Sequence, residues 1–151
     1  MQLASRQCLW KDTGLGVEVV LDMTNETGRY IKFLVDAIDR DKPVVIQWGD
    51  GTSPEKIDCP EDRTAVEHTY AANGRYRVLF QNIGRIMLRW LDGHPQYNYD
   101  NSVISIVDQV GILTGFNSGA FKSSTRLEQV IAPAANDVGQ RPFAYCTSLK
   151  K

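Results

Sequence analysis

The residues able to do chemistry are few and scattered. Three cysteines, Cys8, Cys59 and Cys146, and two histidines, His68 and His94, stand in 151 residues. No two cysteines form a CxxC pair, and the histidines lie 26 residues apart. A structural zinc site draws four ligands from tight local spacing, so neither a metal nor another cofactor is expected. An odd, sparse set of thiols is not a disulfide framework; Cys8 and Cys146 read as small buried hydrophobes. A nucleophile–base dyad of Cys59 and His68 can be drawn on paper, but no orienting motif or oxyanion device stands beside it. No phosphate-cradling glycine loop, HExxH or GxSxG occurs, and no catalytic reaction is expected.

The other candidates divide between binding and structure. Asp50 could hold calcium or act as a base. The simpler expectation is that its side chain caps a turn in which Gly51 takes a positive φ. Trp48 could stack on a sugar, but large aromatics on an inward strand face fill cores. His68 could be a general base; in His68-Thr69-Tyr70 its polar tip, like that of Tyr70, is expected to tie loops down. The segment 94–101, His-Pro-Gln-Tyr-Asn-Tyr-Asp-Asn, is the strongest binding candidate. Tyr97, Asn98 and Tyr99 offer large contact area at low entropic cost and adaptable hydrogen bonding. The competing role for this patch is that of a hinge.

Short strands must position these residues. Val17, Val19 and Leu21 share a face at period two, as do Ile31, Phe33 and Val35, then Val44, Ile46 and Trp48. Asp50-Gly51 and Asn73-Gly74 are turn signals. Tyr76, Val78 and Phe80 alternate with Arg75, Arg77 and Leu79. A break is expected at 82–85, after which Ile86, Leu88 and Trp90 alternate with Met87 and Arg89. About six short strands with turn residues between them, and no helical period, predict an antiparallel β-sandwich. The polar stretch 53–63 reads as loop.

Composition narrows the function classes. Apolar residues make up 42% and charged residues 23%, which excludes wholesale disorder. A net charge of −1 argues against nucleic-acid binding by bulk electrostatics. No apolar run approaches the roughly 20 residues of a membrane helix, so membrane insertion is not expected. Met1 to Arg6 contains no apolar h-region, and no signal peptide is predicted. Asp92-Gly93-His94-Pro95 punctuates the chain. Residues 1–92 hold 12 basic and 14 acidic side chains, and residues 93–151 hold 5 and 4.

The last third repeats itself. Phe121 aligns with Phe143, Thr125 with Thr147 and Leu127 with Leu149, all at a spacing of 22. Ile104-Ser105-Ile106-Val107 resembles Leu127-Glu128-Gln129-Val130. Such a period suits a leucine-rich solenoid, in which each turn lays down one short strand and buries its apolar positions on its neighbours. Two to two and a half turns cannot stand alone, so they are expected to pack on the preceding sandwich. The last turn, ending near Leu149, would be uncapped, inviting a homodimer contact or fraying.

Two family resemblances follow from these residues. Trp48-Gly49-Asp50-Gly51-Thr52, His68-Thr69-Tyr70 and Gly74-Arg75-Tyr76-Arg77-Val78 resemble the signature of PKD (polycystic-kidney-disease type) domains. That implies an Ig-like β-sandwich over 1–92, with its core in 13–92. Gly119-Ala120-Phe121 through Leu127, with Phe143 and Cys146-Thr147-Ser148-Leu149, resembles the BspA-like leucine-rich repeat over 93–151. Pro142 and Ser124 depart from that family's usual Ala and Cys. Together the resemblances imply a non-catalytic binding or adhesion module at a bacterial surface, secreted or on a phage virion, meeting a protein or glycan. The alternative is a structural spacer or assembly subunit with no ligand.

Overall fold

The computed structural model describes residues 15–23, 30–61, 63–88, 102–116, 120–121, 124, 126–138, 143, 146 and 148–149. Among them there is no helix. Eleven strands are formed: β1 (Val17–Asp22), β2 (Tyr30–Ala37), β3 (Val44–Gln47), β4 (Glu55–Ile57), β5 (Thr64–Thr69), β6 (Arg75–Gln81), β7 (Ile83–Leu88), β8 (Val103–Asp108), β9 (Gly115–Phe116), β10 (Gln129–Ile131) and β11 (Asp137–Val138). They make a six-stranded sheet in the order β10-β8-β1-β6-β3-β4 and a five-stranded sheet in the order β11-β9-β7-β2-β5. The two sheets share one core, the layout of a β-sandwich.

The period-two expectation accounts for the inward faces. Val17, Val19 and Leu21 are buried, as are Ile31, Phe33 and Val35, then Val44, Ile46 and Trp48. Phe33 of one sheet meets the ring of Phe80 from the other edge-on, 5.4 Å between centroids. Within β1 to β7 every pairing is antiparallel, but only β3 and β4 form a hairpin; the other consecutive strands lie in different sheets. Asn73-Gly74 therefore joins the sheets.

Two expectations need correcting. Strand β4 lies inside the stretch read as loop. It is an edge strand with two of its three residues exposed, so no apolar alternation marks it. The break expected at 82–85 shrinks to Asn82, and β7 starts at Ile83. Asn82 adopts φ 67°, a left-handed conformation that asparagine tolerates better than other non-glycine residues. Its side chain also fixes the neighbouring loop. Oδ1 accepts from the Asp39 amide at 3.0 Å, and Nδ2 donates toward the carbonyls of Asp39, Lys42 and Pro43.

From residue 103 the chain winds. It passes from β8 in one sheet to β9 in the other, then to β10 and β11. Strand β8 pairs antiparallel with β1, but β10 pairs parallel with β8, β9 with β7 and β11 with β9. Both sheets are therefore mixed rather than antiparallel throughout. A parallel neighbour requires a crossover, and here the opposite sheet supplies it. Successive circuits are hydrogen-bonded: the Thr114 amide donates to Gly84 O, and the Asn136 amide, 22 residues on, donates to Thr114 O, each at 2.9 Å.

The 22-residue similarity has a structural counterpart. Ser124 N donates to Phe121 O and Leu127 N to Ser124 O; Cys146 N donates to Phe143 O and Leu149 N to Cys146 O. The same turn is thus laid down twice. Phe121 and Leu127 are fully buried, while Phe143, Cys146 and Leu149 pack half-buried against the core. The rings of Phe121 and Phe143 stack at 6.1 Å, and Phe116 meets both edge-on.

The two turns differ in one polar atom. Cys146 Sγ donates to Phe121 O at 3.0 Å, whereas Ser124 Oγ is buried without a partner among the described side chains. A buried unpaired hydroxyl is costly. Ser124→Ala is therefore expected to stabilise the protein by about 1 kcal/mol, read from the urea midpoint.

Candidate functional site

The signature residues assemble at the end of the sandwich where β3 and β5 finish. Trp48 follows β3, and its indole lies flat on His68, 4.8 Å between centroids with 7° between planes. His68, on β5, points inward beside Ile31, its cross-strand partner. Tyr70 meets the imidazole edge-on at 4.7 Å and stacks on Tyr76 at 3.9 Å. Four aromatic rings thus form one row, two stacked pairs joined by an edge-on contact.

Two of their polar tips hold backbone carbonyls and two hold side-chain carboxylates. The buried Tyr70 hydroxyl donates to Trp48 O at 2.8 Å. The Tyr76 hydroxyl donates to Ala72 O, and Trp48 Nε1 donates to Glu55 Oε1 at 2.8 Å. His68 Nε2 lies 2.7 Å from Asp50 Oδ2; a carboxylate only accepts, so this nitrogen carries the proton. The other oxygen, Asp50 Oδ1, accepts from the Thr52 amide at 3.2 Å and its hydroxyl at 2.6 Å. Gly51 takes φ 87° and Gly49 φ 84°. A Cβ on Gly49 would lie 2.4 Å from Arg77 O, so the loop between β3 and β4 requires glycine there.

The electrostatics follow from these contacts. Burial pulls the Asp50 carboxyl upward, but the bonds from Thr52 and His68 outweigh it and hold the group below its ordinary value. Burial, reinforced by Asp50 and Tyr76, pushes the Tyr70 phenol up. Tyr30, partly buried and bonded to Glu67, is pushed up to about 12. The signs set the pH window. A depressed carboxyl stabilises the fold above its unfolded pKa, and that contribution is lost as pH falls through the folded value. Raised phenols stabilise below their unfolded pKa, and the contribution is lost as pH climbs toward the folded values. Stability should therefore be flat between about pH 4 and about pH 10 as far as these groups set it, and fall on both sides. Urea midpoints across pH check this. Asp50→Asn should flatten the acid limb, and Tyr70→Phe should weaken the alkaline one.

The thiols are placed elsewhere. Cys59 is buried, its Sγ donating to Ile57 O at 3.6 Å, and burial raises its pKa. It sits near Thr64 at the start of β5, four residues from His68, or about 13 Å along a strand. The Cys59–His68 dyad is not assembled. Cys146 is also raised by burial. Cys8 and the binding candidates Tyr97, Asn98 and Tyr99 lie outside the described residues. Among the described residues no three His, Cys, Asp or Glu side chains come together as a metal site, and no helix is long and apolar enough to cross a membrane.

Two polar clusters were not anticipated. Asp22, buried at the end of β1, accepts from Arg126 in the first winding turn and lies 3.3 Å from Arg75 of β6. Asp108, buried at the end of β8, accepts from the amides of Val110, Gly111 and Leu113 at 3.2, 2.9 and 2.7 Å. The second was readable, since an aspartate three residues before a glycine after a strand signals an Asx turn. The first, spanning 104 residues of sequence, carries no local signal.

Comparisons with protein-family models, curated proteins and solved structures give no match.

Proposed function

We propose that the chain is a non-catalytic binding module, a PKD-type Ig-like sandwich continued by BspA-like leucine-rich turns, that meets a protein or glycan outside the cell or on a virion. One observation carries this reading: His68, Asp50, Trp48, Tyr70 and Tyr76 spend their polar atoms on one another, on Thr52, Glu55 and on nearby backbone. That is how a scaffold uses such residues. The twice-repeated turn at 121–127 and 143–149 and the parallel strand additions support the leucine-rich part.

Binding then falls to residues outside this cluster, foremost Tyr97, Asn98 and Tyr99. A screen of the chain against glycan and protein arrays tests it. Specific binding that Tyr97→Ala or Tyr99→Ala lowers at least tenfold is the expected result. Silence across both arrays contradicts it and favours the second reading, a spacer or assembly subunit. The sheets shared between residues before 92 and after 93 support that alternative, because strands hydrogen-bonded across a junction make it rigid.

A further inference from the structure

The register sets one row of side chains on the outer face of the six-stranded sheet. Gln129 pairs with Ser105, Ser105 with Val20 and Val20 with Arg77, while the neighbouring set, Val19, Ile106 and Val78, is buried in the core. Asp22 and Arg75 are the next outward pair along β1 and β6. Arg126, from the first winding turn, reaches the same place. Its Nη2 donates to Asp22 Oδ2, and Arg75 Nη2 lies 3.3 Å from that same oxygen. Two guanidinium groups therefore stand side by side, with one carboxylate between them. Arg77, two residues along β6, donates to Glu18 Oε2 through Nε, at 2.9 Å, and through Nη2.

The acids are covered and the arginines are not. Asp22 and Glu18 are 5% and 16% exposed, whereas Arg75 and Arg77 are 66% and 74% exposed. A carboxylate that holds one edge of a guanidinium fixes its plane and leaves the rest of its five donors to other partners. The outward strand residues and Arg126 together bring four cations to this face, Lys56, Arg75, Arg77 and Arg126, against Asp22 and Glu18. Glu128, exposed between Arg126 and Gln129, trims that excess without cancelling it. The chain as a whole has a net charge of −1, so the excess is local. The outer face of the five-stranded sheet is balanced, with Lys32 opposite Glu67 and Arg85 opposite Asp36.

We propose that this face binds an acidic glycan, a carboxylate of the sugar chain docking on Arg75 and Arg126 and a second on Arg77. The proposal rests on the binding-module reading and adds a site and a ligand charge to it. Two cations sharing one carboxylate attract a second anion, and the planar guanidinium fork matches a planar carboxylate. Ser105 and Gln129, in the row of Arg77, offer a hydroxyl and an amide to sugar hydroxyls. No aromatic side chain stands among the outward strand residues of this sheet. The face therefore lacks the aromatic anchors typical of protein hot spots and holds its ligand by charge.

Titration calorimetry of the full chain against polygalacturonate tests it, beside dextran, which is neutral, and polyglutamate, which carries carboxylates without sugar. The expected result is binding to polygalacturonate at least tenfold tighter than to either control, weakening as salt rises from about 50 to about 200 mM. Arg75→Gln and Arg77→Gln, both at exposed positions, should each lower the affinity at least threefold with the circular dichroism spectrum unchanged. Lys32→Gln, on the other sheet, should leave it unchanged. No binding, polyglutamate bound as tightly, or a loss with Lys32→Gln equal to that of the arginine variants overturns the proposal. Array binding that Tyr97→Ala or Tyr99→Ala lowers and the arginine variants do not overturns this site while sparing the reading it rests on.

Discussion

Phe121→Ala is expected to destabilise the whole chain by about 3–5 kcal/mol, the range for deleting a fully buried aromatic ring. Phe121 is fully buried, stacked on Phe143 and edge-on to Phe116. It belongs to the same core as Phe33, Trp48 and Phe80. Its loss should therefore lower the single unfolding transition, so that the fluorescence of Trp48, read with the other two tryptophans, Trp10 and Trp90, replaced by Phe, shifts with the far-ultraviolet signal. A variant in which residues 103–149 melt first, with the Trp48 signal unchanged, would show that the winding segment is an appendage. Its urea midpoint and the coincidence of the two probes give the answer.

Asp108→Ala should cost about 3 kcal/mol. The carboxylate is buried, and removing it leaves three amides, those of Val110, Gly111 and Leu113, without their acceptor; each such loss runs to about 1–3 kcal/mol, less where water can enter. Asp108→Asn keeps one accepting oxygen and should lose roughly half as much. If alanine and asparagine behave alike, within about 0.5 kcal/mol, the carboxylate is not what holds this loop.

Strands β1, β2, β3, β6 and β7 are legible because each buries one face, whereas β5, with only Val66 fully buried, gives no such alternation. Val17, Val19 and Leu21, or Ile31, Phe33 and Val35, announce their inward side by alternation alone. Strand β4 escaped notice because an exposed edge strand has no face to announce. The corner at Asn82 looks four residues long in the sequence because β7 opens with Ile83 and Gly84, which blur its period; only the left-handed tolerance of asparagine hints at a one-residue turn. In the last third, the spacing of Phe121, Leu127, Phe143 and Leu149 made the repeat visible. It did not reveal that the new strands extend the existing sheets, because strand pairing depends on which edge is open.

The candidate site was legible in its parts. Trp48, Asp50, Gly51, His68, Tyr70 and Tyr76 do converge, and Asp50 does cap a turn in which Gly51 has a positive φ. Their convergence on one another could not be read from spacing, since His68 reaches Asp50 only through the packing of β5 across from β3. The Asp22–Arg126 pair was invisible for the same reason.

The central claim is that residues 103–138 extend both sheets of the preceding sandwich. Backbone nuclear Overhauser contacts measure this directly. The account predicts contacts between Val19 and Ile106 in an antiparallel pattern, and between Ile106 and Val130 and between Gly115 and Asp137 in a parallel one. Contacts confined to residues 15–88, with none crossing from β1 to β8 or from β7 to β9, would contradict it.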